Sequence, residues 1–500
     1  MTVPFLRIAP LALACAAAMA PASAAEIEAG LRAEATQSGR VDTLIVLGAK
    51  APKSLLRTDG NYLKRRRNLV ATLRATADVS QADLRAWLGA QGVAYRPFWV
   101  VNVIQASLTR AQLDELSLRA DIEKIESNRA FELDRPTQVQ LPIADAGGEP
   151  LAVTWGVNKV RAPEVWAQGI RGQGVVVSGQ DTGYRWDHPA LKAKYRGWDG
   201  LAVDHNYNWH DAIHTGGSSC GANSASPCDD YGHGTHTMGT MVGDDGLGNQ
   251  VGVAPDARWI GCRNMDSGDG TPARYIECTQ WLVAPTDGSD NNPNSDLAPD
   301  VVNNSWGCPA SEGCSTGQEI RSAIETLVDA GIFFAAAAGN SGSSCNTIGD
   351  PPAIYDAVFT VGGTNSSDNM YSGSGRGPVA GSTGMKPDVI APGQSVSSSV
   401  PNYSDTPGNY FGSSTGTSMA SPHVAGAAAL LMSVNPSLKG DPQSVAQILR
   451  ATAVPLTSST QVCGGIPATT FPNPVQGYGQ IDAYAAFLVA EKIFADGVDD

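Results

Sequence analysis

The chain has 500 residues, of which 42% are hydrophobic and 17% are charged, a composition that allows two or three folded domains and excludes a disordered protein. Its net charge of −15 is unevenly spread: residues 26–141 carry 17 Lys and Arg against 14 Asp and Glu, whereas residues 142–500 carry 16 against 35. So acidic a body would repel phosphate groups, which excludes nucleic acid as a partner.

A hydrophobic leader begins the chain. Arg7 precedes an apolar run over residues 8–20, and Ala22-Ser23-Ala24 offers small residues for cleavage, so residues 1–24 are predicted to be a secretory signal peptide. The run is shorter than the roughly 20 residues that a membrane-spanning helix requires, which disfavours an anchor. Lipoprotein cleavage at Cys15 is a weaker alternative. We therefore expect a secreted protein, extracellular or periplasmic, without a membrane partner after the leader is removed.

Residues 25–135 are predicted to form a small α+β domain, because apolar runs alternate there with helical patterns. The predicted strands are 43–47 and 99–104, and the predicted helices are 62–77, 81–89 and 111–118. Residues 136–150 are rich in Pro, Gly and Gln without periodicity, which predicts a linker that a protease could reach.

From residue 151 to residue 490, short apolar strands alternate with helices. This pattern is typical of an α/β domain with a mostly parallel sheet between layers of helices. The predicted strands are 175–178, 258–262, 301–304, 332–338 and 358–361, and the predicted helices are 233–242, 272–282, 318–330, 418–434, 442–451 and 483–492. Ligands of such sheets bind at the carboxyl ends of the strands. Residues 491–500 are predicted to be an acidic tail.

Eight cysteines remain after the leader, and all lie beyond residue 219. An even number in an exported chain favours disulfides, although eight cysteines allow 105 connectivities. Short-range pairing predicts Cys220–Cys228, Cys308–Cys314 and Cys262–Cys278, which leaves Cys345–Cys463. A zinc site is the alternative, and the lack of a Cys-x-x-Cys pair in the sequence disfavours it.

The first reactive segment is an apolar strand that ends in Asp181-Thr182-Gly183. A carboxylate at this point can orient a histidine in a cleft. The Asp-Thr-Gly motif alone is a weak indication of such a role, because it is also typical of aspartic peptidases. In that alternative, Asp266 would supply the second carboxylate. Asp266 lies in a hydrophilic stretch, however, whereas an aspartate dyad needs matching turns close enough to share a proton.

The second reactive segment, Tyr231-Gly232-His233-Gly234-Thr235-His236, begins a predicted helix. A histidine held at a helix start by glycines can accept a proton from a nucleophile on another element. A structural role for His233 is the alternative. Zinc binding is disfavoured because His233 and His236 are three residues apart without an intervening glutamate.

The third reactive segment, residues 416–426, puts Ser418 at the start of a helix. Its hydroxyl and the nearby N–H groups would act where the helix dipole favours a developing negative charge. An ordinary N-cap serine is the alternative. An α/β-hydrolase motif is disfavoured, since Ala420 replaces its last glycine and His423 is the only later histidine in the sequence.

In chain order, Asp181, His233 and Ser418 match the triad of the subtilisin-like serine peptidases, which this chain resembles from about residue 155 to residue 484. The matching blocks are 174–189, 230–239, 252–255, 303–307, 335–342, 386–393 and 416–426. Within the family, the chain resembles the bacillopeptidase F branch in segments 155–157, 162–166, 187–191, 208–212, 281–285 and 303–307.

The resemblance implies a role for each site residue. Ser418 would attack the peptide carbonyl, His233 would carry the proton and Asp181 would orient His233. The amide of Asn340 would stabilise the oxyanion. Substrate would bind as an added strand along the walls of the primary specificity pocket. Those walls would be Ser305, Trp306 and Gly307 on one side and Ala337, Ala338 and Gly339 on the other, with Gly349 at the back of a roomy pocket.

The resemblance further implies a secreted serine endopeptidase made as a self-processing precursor, with residues 25–135 as its intramolecular inhibitor and chaperone. We expect protein or peptide substrates, a monomer and no cofactor for catalysis. Structural calcium is an open question, because residues 244–250 have the length of a family calcium loop but Gly246 stands where a side-chain ligand is expected; residues 287–296 form a second acidic loop. Two rival classes are a non-catalytic binding module and a lipase or esterase with the same triad.

Overall fold

The structure is a computed structural model that describes residues 25–51, 61–132, 137–139, 152–216, 218–308, 314, 318–401 and 410–498. The predicted signal peptide and most of the predicted linker lie outside these residues. Among the residues that are described, no helix is both long and apolar enough to cross a membrane.

The N-terminal part has the small α+β architecture that the sequence predicts. Its strands are β1 (Glu26–Ile27), β2 (Val41–Leu47), β3 (Tyr95–Phe98), β4 (Val103–Leu108) and β5 (Ile122–Ser127). Its helices are α1 (Leu31–Ser38), α2 (Tyr62–Ser80), α3 (Ala82–Ala90) and α4 (Arg110–Leu116). The strands form one sheet in the order β1-β5-β2-β4-β3. Asn61 caps α2 through its side chain, and Thr109 with Gln112 forms a capping box at α4.

Three short strands, β6 (Phe131–Glu132), β7 (Thr137–Val139) and β8 (Ala152–Val153), follow the N-terminal sheet. The remaining strands are β9 (Val176–Asp181), β10 (Trp209–Asp211), β11 (Asn249–Gln250), β12 (Arg258–Arg263), β13 (Met265–Asp266), β14 (Asp269–Gly270), β15 (Val301–Asn304), β16 (Phe333–Ala337), β17 (Phe359–Thr364), β18 (Val389–Pro392), β19 (Val396–Ser399), β20 (Phe411–Thr415), β21 (Val462–Cys463) and β22 (Ile466–Pro467). The remaining helices are α5 (Trp155–Lys159), α6 (Ala162–Trp166), α7 (His233–Val242), α8 (Pro272–Val283), α9 (Gln318–Asp329), α10 (Thr417–Val434), α11 (Pro442–Ala451) and α12 (Ala483–Val498).

A seven-stranded parallel sheet in the order β10-β12-β9-β15-β16-β17-β18 forms the centre of the C-terminal part. Successive side chains point to opposite faces: Val301 of β15 packs in the core with α7, α10 and α11, whereas Val302 packs in the core with α8 and α9. Helices therefore cover both faces, which confirms the predicted α/β class.

The N-terminal part packs against α8 and α9 and shares their core. Along β2, Ile45 and Leu47 face α1, α3 and α4, whereas Leu44 and Val46 belong to the shared core. This docking explains why one predicted strand begins later in the chain than expected. Residues 99–102 form turns, and the strand predicted at 99–104 begins only at Val103, because the apolar run contacts the second domain instead of pairing.

All four predicted disulfides, Cys220–Cys228, Cys262–Cys278, Cys308–Cys314 and Cys345–Cys463, are present. The last joins the loop after β16 to the segment after α11, which is 118 residues further along the chain. Regular structure also occurs in two segments for which none was expected. Thr137–Val139 forms a strand where a linker without regular structure was expected, and α12 continues to Val498, within the predicted acidic tail.

Candidate active site

Asp181 is the last residue of β9 and lies at the carboxyl edge of the parallel sheet. It is 1% exposed, and its Oδ1 accepts hydrogen bonds from Thr182 N at 2.8 Å and from His233 Nδ1 at 2.7 Å. Because an ionised carboxylate only accepts, the ring proton of His233 lies on Nδ1, and Nε2 is left as an acceptor. The predicted pairing of Asp181 with His233 is thus present in the geometry.

His233 is the first residue of α7 and is preceded by Gly232, whose φ of 94° is readily adopted by glycine. Burial by itself disfavours the imidazolium, but the charge and hydrogen bond of Asp181 outweigh it, so the pKa of His233 is raised above its usual value. Within the described part of the chain, the buried Nε2 atom has no hydrogen-bond partner. This atom can receive the proton of a nucleophile.

Asp229 holds the start of α7, a role that the sequence did not single out. Its Oδ1 accepts from Thr182 Oγ1 at 2.8 Å and from Gly232 N at 2.7 Å, and its Oδ2 accepts from Thr235 N at 2.9 Å. This fully buried carboxylate therefore satisfies N–H groups at the helix start and ties them to the turn after Asp181. An aspartate shortly before a helix is too common a pattern to have revealed it.

Ser418 is the second residue of α10 and lies at the same edge of the sheet. Its Oγ donates to Ser305 O at 3.0 Å, and Ser305 Oγ donates to Ser418 O at 3.0 Å. Ser305 directly follows β15, the strand that pairs with β9. Because the single hydroxyl proton is donated to Ser305 O, the expected bond from Ser418 to His233 is not formed in this conformation. Such bonds commonly tighten only when substrate is bound.

Asn340 lies beside the backbone of the Ser418 turn. Its Oδ1 accepts from Thr417 N at 2.9 Å and from Thr417 Oγ1 at 3.2 Å. Since a backbone N–H can only donate, this contact assigns the oxygen side of the amide to Thr417 and leaves Nδ2 directed elsewhere. Gly339, with a φ of 87°, makes the turn that presents Asn340. An Nδ2 donor fixed in this way suits the stabilisation of an oxyanion near Ser418.

The two predicted pocket walls follow neighbouring strands. Asn304 of β15 is in register with Ala336 of β16, so residues 305–307 and 337–339 leave the sheet side by side. Ala337 and Ala338 are buried, whereas Gly349 is exposed and a Cβ atom built on it would meet no atom within 4 Å. Small residues therefore keep the space between the walls open.

Trp306 contributes only its backbone to the wall. Its side chain is 2% exposed and stacks on Tyr275, with ring centroids 3.7 Å apart and planes 13° apart. The indole Nε1 donates to Gln180 O at 3.0 Å. The side chain thus points into the layer of α8 and not into the cleft, which the sequence could not reveal.

Two strands that pair with the chain preceding the C-terminal domain were not predicted as substrate contacts. β14 pairs antiparallel with β6, and β20, which ends three residues before Ser418, pairs antiparallel with β7. Both partners come from the region that precedes the C-terminal domain. β14 and β20 thus each hold an extended segment of the preceding chain through backbone hydrogen bonds, which is the way a substrate strand would bind.

The aspartic-peptidase alternative for Asp181 and Asp266 is not supported by the geometry. Asp266 Oδ1 accepts from Arg263 Nη2 at 3.0 Å, whereas Asp181 is bonded to His233. The zinc alternative is also disfavoured, because His236 Nε2 bonds to Val396 O at 3.1 Å. In the described ranges, no group of three or more His, Cys, Asp or Glu side chains could hold a metal ion.

The two loops considered for calcium are each held by hydrogen bonds within the loop. The Asp245 carboxylate accepts from Leu247 N, Asn249 N and Asn249 Nδ2. The Asp287 carboxylate similarly accepts from Ser289 N, Asn291 N and Asn292 Nδ2. Because a carboxylate oxygen has more than one lone pair, these hydrogen bonds are compatible with calcium coordination.

Comparisons with known proteins agree with this geometry. The profile of the Subtilase family matches residues 172–479. Bacillopeptidase F of Bacillus subtilis (strain 168) is 36% identical over 460 residues, which cover 87% of this chain but only 30% of that protein. Subtilisin DY of Bacillus licheniformis is 36% identical over 310 residues, 61% of this chain and 93% of that protein. Subtilisin E of Bacillus subtilis (strain 168) is 30% identical over 370 residues, 73% of this chain and 79% of that protein. The chain belongs to the subtilase family of subtilisin-like serine peptidases and resembles its bacillopeptidase F branch.

Proposed function

We propose that the chain is a secreted serine endopeptidase, made as a self-processing precursor, that hydrolyses peptide bonds of extracellular proteins through an acyl-enzyme. The observation that carries this proposal is the buried Asp181–His233 pair, whose Nε2 acceptor lies at the same sheet edge as Ser418. Four disulfides support export, because such bonds persist in oxidising compartments.

In the proposed reaction, Ser418 Oγ turns from Ser305 O towards His233 Nε2 and attacks the peptide carbonyl while Nε2 takes its proton. The Ser418 N–H and Asn340 Nδ2 bind the oxyanion. His233 then gives the proton to the leaving amine. Water, deprotonated by the same Nε2 atom, hydrolyses the acyl-enzyme and regenerates the serine. Asp181 keeps the His233 tautomer throughout and stabilises the imidazolium.

The strand edges that β6 and β7 occupy in this structure favour peptides over lipid esters as substrates. An extended peptide can pair along β14 on one side and β20 on the other, whereas a triglyceride has no N–H groups for such pairing. Measuring the rates of casein and of triglyceride hydrolysis by the purified protein distinguishes a peptidase from a lipase. Casein should be cleaved much faster, and an excess of triglyceride hydrolysis would instead support the lipase alternative.

Self-processing is supported by the pairing of two short strands, β6 and β7, which come before and after residues 133–136 in the sequence. β6 ends just before these residues and pairs with β14, and β7 begins just after them and pairs with β20. The chain on both sides thus follows the edges that we assign to substrate. We propose that maturation cuts the linker, residues 136–150, and that residues 25–135 act as the inhibitor until then.

Fluorophosphonate labelling tests the function. The probe reacts only with an activated serine, so the wild-type protein should gain one label on the Ser418 peptide, and Ser418→Ala should gain none. Ser421→Ala is a matched control because Ser421 lies on the same helix, one turn further on. Failure of the wild type to react while folded would favour a non-catalytic binding module.

A further inference from the structure

We propose that Arg263 is a positioning residue for substrate: its buried guanidinium holds the β13–β14 hairpin, on which a substrate strand would pair, against the loop that leads to His233. The inference rests on the proposed function, since it concerns how that enzyme binds its substrate. It predicts that Arg263 matters for extended peptides and not for substrates too short to reach β14.

Arg263 is the last residue of β12 and lies at the same edge of the sheet as Asp181. The two residues are in register, and the next residue, Asn264, donates its N–H to Asp181 O at 3.0 Å. The hairpin begins directly afterwards, at Met265. Arg263 is fully buried, so its guanidinium acts from within the protein and not by contact with substrate.

The guanidinium of Arg263 joins the hairpin to the loop before His233. Its Nη2 atom donates to Asp266 Oδ1 of β13 at 3.0 Å and also to Asp230 Oδ2. Asp230 Oδ1 in turn accepts from Ser267 N, in the turn of the hairpin, at 2.9 Å. Because Asp230 lies on the loop that leads to His233, the hairpin is tied to this loop at two points.

These contacts reach the strand on which a substrate would pair. Asp266 is in register with Asp269 of β14, and Asp269 is in register with Glu132 of β6. β6 is the segment of the preceding chain that occupies β14 in this structure, in the way proposed for a substrate. A hairpin that is free to shift would therefore bind an extended peptide less well, because its backbone groups would first have to be ordered.

A neutral side chain could not take the place of Arg263. The Nη1 atom donates to Gly221 O at 2.9 Å and to Asp211 Oδ2 at 3.4 Å. The guanidinium therefore faces three carboxylates, those of Asp211, Asp230 and Asp266, whose side chains are 2%, 1% and 15% exposed. Without the cation these carboxylates would repel one another. Lysine keeps the charge, but a single ammonium group does not reproduce the forked donors that hold all three.

Two thiobenzyl esters that differ only in length test the inference. Both carry the same residue before the cleaved bond; one is a blocked single amino acid, and the other is a blocked tetrapeptide that can extend along β14. In mature Arg263→Lys, kcat/KM for the tetrapeptide should fall by about tenfold, mainly through KM, and kcat/KM for the single amino acid should change by less than about twofold. Fluorophosphonate labelling of Ser418 counts the active molecules, so a loss of folded enzyme does not affect either value.

Two further variants sharpen this measurement. Asp266→Ala removes the hairpin carboxylate and should lower the ratio of tetrapeptide to single-residue kcat/KM in the same direction. Arg258→Lys is the matched control, because Arg258 lies on the same strand but its Nη1 donates to Ala193 O at 2.6 Å. This control should leave the ratio unchanged.

An unaltered ratio in folded Arg263→Lys would overturn the assignment of Arg263. If that variant does not fold, an unaltered ratio in Asp266→Ala would do so. An equal decrease of the ratio in Arg258→Lys would also contradict the inference, because any arginine of the strand would then have the same effect. Failure of the folded wild type both to cleave either ester and to react with the fluorophosphonate would instead refute the proposed function itself.

Discussion

Two buried histidines in this chain bond to carboxylates, and they differ in the second ring nitrogen. His233 bonds to Asp181 through Nδ1, and among the described residues its Nε2 has no partner. His210 bonds to Glu277 through Nε2 at 2.9 Å and to Asp290 through Nδ1 at 3.2 Å. Because both nitrogens of His210 face carboxylates, both carry protons and the ring is an imidazolium. A carboxylate partner thus does not make a histidine a base; a free second nitrogen does.

The His210 cluster joins the N-terminal and C-terminal parts of the chain. Glu277 also accepts from Arg96 Nη1 of β3 at 3.0 Å and from His214 Nε2 at 2.8 Å. Burial opposes the charge on His210, but its hydrogen bonds to Asp290 and Glu277 raise its pKa to about 9. Burial likewise opposes the charge on Glu277, yet its bonds to His210 and His214 lower its pKa to about 2. We interpret this cluster as a docking site and His233 as the base.

The largest expected effect separates these two histidines. His233→Ala should lower kcat by about 10⁴- to 10⁶-fold, because the base and the oriented proton are both lost. His210→Gln should keep kcat within about threefold once the enzyme is mature. Peptide hydrolysis by both purified variants checks this. Equal decreases of kcat in the two variants would show that the two histidines do not differ in their role in catalysis.

The next effect concerns Asn340 and is smaller because one oxyanion donor remains. Asn340→Ala should lower kcat by on the order of 100- to 1,000-fold with little change in KM, since the amide acts on the transition state. Precursor maturation should slow in parallel. Steady-state kinetics of the folded variant test this, and near-wild-type kcat would leave the Ser418 N–H as the principal donor.

Some features of these sites could be predicted from the sequence and others could not. Asp181 ends a strand and His233 and Ser418 begin helices, so periodicity and local motifs singled them out and predicted the α/β fold, while their roles were assigned by the family resemblance. The Ser418 rotamer, the inward turn of Trp306 and the docking of residues 99–102 depend on side chains far away in sequence, and no local pattern encodes them. Asp229 was missed for the same reason, because what it touches is decided by tertiary packing.

The third prediction concerns the pH dependence of precursor stability, measured in Ser418→Ala to prevent self-cleavage. The pKa of His210 is raised, so its contribution is complete below its unfolded value of 6.5 and is lost as the pH rises through about 9. The pKa of Glu277 is lowered, so its contribution is complete above 4.5 and is lost as the pH falls through about 2. The cluster is therefore most stabilising between pH 4.5 and 6.5.

Urea unfolding at about pH 6 and pH 9.5 measures this effect. The free energy of unfolding should decrease between these two pH values in Ser418→Ala. In the double variant Ser418→Ala, His210→Gln this decrease should be smaller by on the order of 2 kcal/mol. The same decrease in both proteins would show that other groups cause the pH dependence.

The smallest effect concerns the exposed charges at the docking surface. Arg67 makes two hydrogen bonds to the Asp296 carboxylate, at 2.6 and 2.7 Å, between α2 and the C-terminal part. Raising the salt concentration from about 0.05 M to about 0.5 M should slow association of the N-terminal domain with the mature enzyme by roughly tenfold, because screening weakens long-range attraction. Arg67→Gln should reduce this salt dependence. Inhibition kinetics measure it, and association independent of salt would contradict the electrostatic contribution.

The central claim is that His233 activates Ser418, and the rate of fluorophosphonate labelling tests it most directly. Intact-mass measurements over time should show one label on the wild type and on His210→Gln at similar rates, and none on Ser418→Ala. Labelling of folded His233→Ala should be slower by at least about 10³-fold, since the serine then has no base. If His233→Ala were labelled on Ser418 as fast as the wild type, the base would not be His233 and the account would be wrong.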